Sequence, residues 1–231
     1  MTERGAIEWF YRLRDLIIPD ECGSCGAKPP PGRPLCLPCG AVLRETEPVP
    51  RDVSGLPVAA AGRYGGVLRN CLLAYKQRAR RDLAAPLARL MSLPLSAPDS
   101  NGPTVLVPVP STRAARRSRG FDHLRELTSH LVRLLPGALW TPVLSVAARP
   151  DSAGLGRAER YRTARAAMRL NPHRAHRLRR VMGERESVRV VLVDDIVTSG
   201  ATLSAADAKL AAAGIRVSGA VAGASADLTS I

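Results

Sequence analysis

Between Val190 and Leu203 the chain reads VVLVDDIVTSGATL: an apolar run, two adjacent carboxylates, then a turn rich in small and hydroxyl residues. The apolar run predicts a buried strand, and the residues after Gly200 predict a helix. Asp194 and Asp195, at the end of such a strand, can accept hydrogen bonds from vicinal sugar hydroxyls. Thr198, Ser199, Gly200, Ala201 and Thr202 offer hydroxyls and consecutive backbone N–H groups at a helix start, which form a nest for an anion. Together the two halves describe a site for a ribose 5-phosphate. Successive strand residues face opposite sides of a sheet, so both acids serve one ligand only if the strand ends at the pair and turns. The competing reading is a Ser/Thr/Asp-rich turn that caps a helix and binds nothing.

A second constellation lies upstream. Cys22, Cys25, Cys36 and Cys39 make two C-x2-C knuckles separated by ten residues. Each pair converges two thiolates on one metal, and two pairs complete the tetrahedral sulfur shell that Zn²⁺ accepts. The expected role is structural. Two disulfides or an iron site are the alternatives, the first disfavoured in a reducing compartment. Cys71 falls outside the set, in an apolar helical stretch, and reads as a small buried hydrophobe.

These residues need elements to hold them. A chain of 231 residues, 45% hydrophobic and 3% aromatic, has room for one full domain and a small accessory one, with a core of Ala, Val and Leu. Residues 1–50 are expected to hold an N-terminal helix, with Ile7, Phe10, Leu13 and Leu16/Ile17 on one face, and the four-Cys knuckle. Residues 51–231 are expected to form an α/β domain. Its expected strands are Leu56 to Arg63, Thr104 to Pro110, Pro142 to Ala147, Val188 to Val193 and Arg216 to Ala222. Its expected helices are a pair parted near Arg80, one from Arg119 to Leu135, and one from Ala201 to Ala213. Strands alternating with helices imply a parallel sheet covered on both faces. The stretch from Arg169 to Arg180 reads as basic and irregular, and Arg149 to Arg165 shows no period.

The formal charge is +14 and the isoelectric point about 10.8, which points to anionic partners. Of the 34 basic residues only Lys28, Lys76 and Lys209 are lysines, and the arginines suit bidentate phosphate contacts. An Ala/Arg-rich composition also follows from a GC-rich genome. Few aromatics argue against a base-stacking RNA module. No run reaches the roughly 18 apolar residues of a membrane span, and the start, with Glu, Arg and Asp spread through it, is a poor signal peptide. The expected location is the cytoplasm.

At the acid pair the sequence resembles the type I phosphoribosyltransferases, whose signature is an apolar strand, two acids and a T-T-G-x-T-like loop. More closely it is similar to the ComF family of competence-associated proteins. That family's V-P-V-P, basic run and R-G-F appear as VPVPSTRAARRSRGFDHL, from Val107 to Leu124. Its aromatic-Gly helix with a Lys appears as Tyr64, Gly66 and Lys76, its R-x-D-x-x-G-L loop as Arg149, Asp151, Gly154 and Leu155, and its four-Cys knuckle precedes them. The chain departs from the family at Ser152, Thr163 and Ser199, where Gln, Asn and Thr are common.

The resemblance implies a phosphoribosyltransferase-like fold behind a zinc knuckle, with 5-phosphoribosyl 1-pyrophosphate (PRPP) as ligand. Asp194 and Asp195 would hold the ribose hydroxyls and orient a Mg²⁺, and Thr198 to Thr202 would bind the 5-phosphate. Lys76, Arg113, Arg116, Arg117 and Arg119 are candidates to neutralise pyrophosphate as it leaves. Arg157 and Arg160 would close over the site. The expected activity is ribose 5-phosphate transfer with pyrophosphate release, linked to DNA uptake. The alternative is a protein without turnover that senses PRPP or handles single-stranded DNA, with the competence machinery as partner. A purely structural zinc scaffold ranks third. His173 and His176 are further metal candidates without evident co-ligands.

Overall fold

The structure is a computed structural model, and it describes residues 20–96, 102–147, 157–184 and 187–226. The expected N-terminal helix and the loop carrying Arg149, Asp151, Gly154 and Leu155 lie outside these residues.

A six-stranded sheet organises the chain, in the order β1-β2-β8-β7-β3-β4. Its strands are β1 (Val49–Val53), β2 (Leu56–Ala60), β3 (Thr104–Pro108), β4 (Leu139–Trp140), β7 (Arg189–Val197) and β8 (Gly219–Ser225). Every pairing is parallel except β1 with β2. Val190 to Val193 and Val105 to Val107 are all buried, as a parallel strand covered on both faces requires. The architecture is therefore mixed α/β around a mostly parallel sheet, with the four cysteines near its N-terminal end.

The helices are α1 (Leu37–Arg44), α2 (Gly66–Gln77), α3 (Ala84–Ser92), α4 (Arg113–Arg119), α5 (His123–Leu134), α6 (Arg157–Ala167), α7 (Pro172–Glu184) and α8 (Ala201–Ala211). The expected break near Arg80 separates α2 from α3, with a short 3-10 turn at Arg81–Leu83 between them. A small two-stranded antiparallel sheet, β5 (Leu144–Val146) with β6 (Met168–Leu170), stands apart from the main one.

Several elements differ from the sequence reading. The helix expected from Arg119 to Leu135 starts only at His123, and a separate helix, α4, precedes it. Thr112 caps α4 by accepting from the Ala115 N–H, Gly120 at φ 77° ends it, and Asp122 starts α5 by accepting from the Arg125 N–H. The supposedly irregular basic stretch from Arg169 to Arg180 contributes β6 and most of α7; only Ala175 and Leu178 of α7 are buried, so arginines hide its period. The last strand begins at Gly219 rather than Arg216. Finally, β1 had no expected counterpart. Ser54 at φ 58° and Gly55 at φ 86° make a two-residue hairpin turn that pairs it with β2.

The cysteine segment packs onto the α/β core through two arginines. Arg80 grips the Asp82 carboxylate with two nitrogens and donates to the Glu21 carbonyl at 2.8 Å and the Pro34 carbonyl at 3.4 Å. Arg78 donates to the Gly23 carbonyl at 3.2 Å. Cys22, Leu35, Cys36, Cys39 and Leu43 belong to the same buried cluster as Leu83 and Leu87.

Candidate functional site

The site is built on β7, flanked by β8 and β3. The strand does not stop at the acids, as the sequence reading required, but runs on to Val197, with Ile196 and Val197 still paired to Ala224 and Ser225. Asp194 and Asp195 are both buried, 8% and 7% exposed. Gly223 permits the close pairing here, since a Cβ on it would fall 2.7 Å from the Asp195 carbonyl oxygen.

Asp195 is the hub. Its Oδ2 lies 2.6 Å from Lys76 Nζ of α2 and 3.2 Å from His123 Nε2 of α5, while its Oδ1 accepts the Ile196 N–H at 2.9 Å. Burial alone raises this carboxyl, but the Lys76 ammonium and the His123 hydrogen bond outweigh it and hold the group well below the usual carboxylate range. Asp194 goes the other way. Burial and then the charge of Asp195 push its carboxyl well above the ordinary value. The resting pair therefore favours a single negative charge, on Asp195. Asp194 Oδ1 accepts the Asp195 N–H at 2.9 Å.

This asymmetry carries a first prediction. Asp195→Asn leaves Lys76 and His123 facing a neutral amide and should cost about 2–3 kcal/mol, below the 3–5 of a fully buried pair because Lys76 is 34% exposed. Asp194→Asn resembles the protonated acid already favoured and should cost under about 1 kcal/mol. Urea denaturation of the two variants measures both; equal losses would contradict the assigned charge state.

His123 was not singled out in the sequence. It is 2% exposed, its Nδ1 lies 3.5 Å from Ser111 Oγ, and its backbone carbonyl accepts the Tyr75 hydroxyl at 2.6 Å. The available signal was register: His123, Leu127 and Leu131 share one helical stripe, and a histidine on a core stripe needs a buried partner. Arg51 was missed with its strand. Its guanidinium reaches the Val197 and Ala226 carbonyls and Ser225 Oγ, tying together the ends of β7 and β8.

Beyond β7 the chain makes the expected turn. Gly200, at φ 73°, precedes α8 with no side-chain cap, and Ser199 Oγ accepts the Ala201 N–H at 3.4 Å. Apart from that contact, a helix start leaves its first-turn N–H groups without acceptors inside the helix. Ser199, Gly200 and Ala201 are buried, and Thr198 and Thr202 are half-buried.

The arginines separate into different positions. Arg113, Arg116, Arg117 and Arg119 sit on α4, just past the end of β3. Arg113 and Arg117 are exposed, and Arg116 pairs with Asp122 at 3.3 Å. Arg119 is different. Its Nε is buried without a hydrogen-bond partner among the described residues, and its charge is close enough to Lys76 to oppose the rise that Asp195 induces there. Arg157 and Arg160 lie in the first turn of α6, and their side chains fall outside the described residues.

The four cysteines meet. Their Sγ atoms all lie within 4.8 Å of one another, with Cys25 and Cys36 3.6 Å apart, and all four are free thiols. Sulfurs bonded to one zinc ion at about 2.3 Å are about 3.8 Å apart, so the set can hold such an ion. Backbone N–H groups of Cys25, Cys36 and Ser24 outweigh burial at Cys22 and bring its thiol down to about 6, whereas burial and the neighbouring thiols push Cys39 up to about 12. Cys71 is fully buried in α2, and burial pushes its thiol up to about 12. His173 and His176 stand exposed on α7, outside any metal-sized cluster among the described residues. No helix of the described residues is long and apolar enough to cross a membrane. A scan against protein-family models finds no match, and no curated protein matches the sequence.

Proposed function

We propose that the chain is a PRPP-binding protein of phosphoribosyltransferase type, transferring ribose 5-phosphate to a nucleophile with release of pyrophosphate. The observation that carries this reading is the buried acid pair on β7, running directly into the Gly200 turn and α8. In this reading the turn takes the 5-phosphate and Asp194 and Asp195 take the ribose hydroxyls. Bound Mg²⁺ supplies charge neutralisation on the pyrophosphate oxygens. Lys76 lies beside Asp195, and Arg119, whose Nε has no partner among the described residues, is near enough to act on Lys76; in this reading both meet the charge that grows on pyrophosphate as its bond to the sugar breaks and the bond to the acceptor forms. The cysteine set holds a structural zinc, and its free thiols fit a reducing cytoplasm. The resemblance to the ComF family implies a link between this activity and DNA uptake.

The test is ligand-dependent stability and turnover. PRPP with Mg²⁺ at about a hundred times its dissociation constant should add roughly 2.7 kcal/mol, seen as a calorimetric shift. Pyrophosphate release with a panel of nucleobases then tests transfer. Absence of any shift at millimolar PRPP would remove the reading.

A second reading has its own support. On α7, Arg174, Arg177, Arg179 and Arg180 are exposed, and Arg174 and Arg177 line a groove of about 300 Å³ with Trp140. A cationic groove with one aromatic suits single-stranded DNA held through its phosphates. Under that reading DNA binding weakens steeply with salt and no pyrophosphate is released.

A further inference from the structure

A groove of about 510 Å³ runs between α1 and α3, walled by Leu37 and Leu43 on one side and Leu90 and Leu93 on the other. Leu37 is 63% exposed and Leu93 53%. Scattered exposed leucines need no explanation, but apolar side chains lining both walls of one concave surface do. Arg33, Arg44 and Arg89 rim the groove.

We propose that residues 1–19 of this same chain fill the groove, docked as an amphipathic helix. Reach favours it. The described chain begins at Asp20, and the Gly23 N–H donates to the Pro34 carbonyl at 2.9 Å, Pro34 itself being part of the groove wall. Pattern favours it too. Ile7, Phe10, Leu13 and Ile17 recur at helical spacing, with Trp9 and Leu16 at the border of the same face. Trp9, Phe10 and Tyr11 are consecutive in a chain only 3% aromatic, and each such ring has on the order of 150–250 Å² to bury.

Charge separates this occupant from the nearest competitor. Glu3, Glu8 and Asp15 balance Arg4, Arg12 and Arg14, so the segment carries none of the +14 net charge. A second copy of this cationic chain would meet the arginine rim with repulsion, whereas the balanced segment does not. Docking there fastens α1, which carries Cys39, to α3 of the α/β core.

Trp9 reports the outcome in the full chain once Trp140→Phe removes the other tryptophan. In that background Trp9 emission should be blue-shifted and resist acrylamide. Leu93→Asp and Leu37→Asp, at exposed positions that should not disturb folding, should raise quenching severalfold. Val42→Asp should not, because Val42 is 51% exposed on the same helix but lies outside the groove. Trp9 as quenchable in the parent as in free tryptophan would overturn the proposal. So would indifference to both groove substitutions, equal sensitivity to Val42→Asp, or protection that arises only on adding anionic vesicles, the mark of a membrane-surface helix.

Discussion

Chelating zinc from the native protein should unfold the cysteine segment while the sheet persists, and it should make four thiols reactive while the fifth stays inert. From Cys22 to Cys36 the chain is Gly- and Pro-rich, with no helix or strand, so its shape rests on two arginine anchors, the few buried contacts of Cys22, Leu35 and Cys36, and the metal that the four thiols can hold. Structural zinc in small sites contributes on the order of 10–16 kcal/mol, and here that is folding free energy for the segment. The thiols show why the metal-free state is poor. Cys22 favours the thiolate near pH 6, but Cys39, pushed up to about 12, resists ionising beside its neighbours. A dication removes that conflict by neutralising the sulfurs together. Alkylation read by mass spectrometry should label Cys22, Cys25, Cys36 and Cys39 only after chelation, and Cys71 only on global unfolding. Loss of far-UV signal for the whole chain on chelation, or native protein lacking zinc, would defeat this account.

The parts legible in the sequence were those whose chemistry is local. Two C-x2-C pairs and an acid pair after an apolar run announce themselves by residue type, and the structure brings the four sulfurs together and buries both carboxylates. What stayed hidden depends on distant partners. His123 has meaning only because α5 lays it against β7, and Lys76 meets Asp195 only because α2 covers the same strand. The VPRDV stretch of β1 has a Pro and two charged residues in five, poor strand composition, yet a positive-φ turn folds it back onto β2 at the sheet edge, where Pro is tolerated. Pleat alternation tied a ligand shared by both acids to a strand that ends at the pair, and β7 does not meet that condition because it runs on to Val197. Asp195 is engaged by α2 and α5, and Asp194 sits beside it on the strand.

Gly200→Ala should be among the most damaging single changes outside the cysteines. The backbone there has φ 73°, which a residue with a Cβ adopts at a cost of about 1–2 kcal/mol. The new Cβ would also lie 2.4 Å from Val53 Cγ1 and 2.8 Å from Cγ2, and overpacking of that kind costs about 1–3 kcal/mol. The two penalties have different owners, and Val53→Ala separates them. In the double variant both Cγ overlaps disappear, the position-53 Cβ stays at 3.2 Å and the left-handed backbone remains, so the loss should fall short of the sum of the two single losses by most of the overpacking share. Urea denaturation of the four proteins in the cycle measures that coupling. Additive losses would mean that Val53 does not brace the turn. PRPP binding provides the second readout. The new Cβ points at Val53 and not into open space, so in Gly200→Ala any loss of the PRPP-dependent shift comes through displacement of the turn. The double variant should then recover that shift together with stability. A shift still missing once stability has returned would mean that the Cβ itself meets the phosphate, and that the bracing of the turn by Val53 does not govern binding.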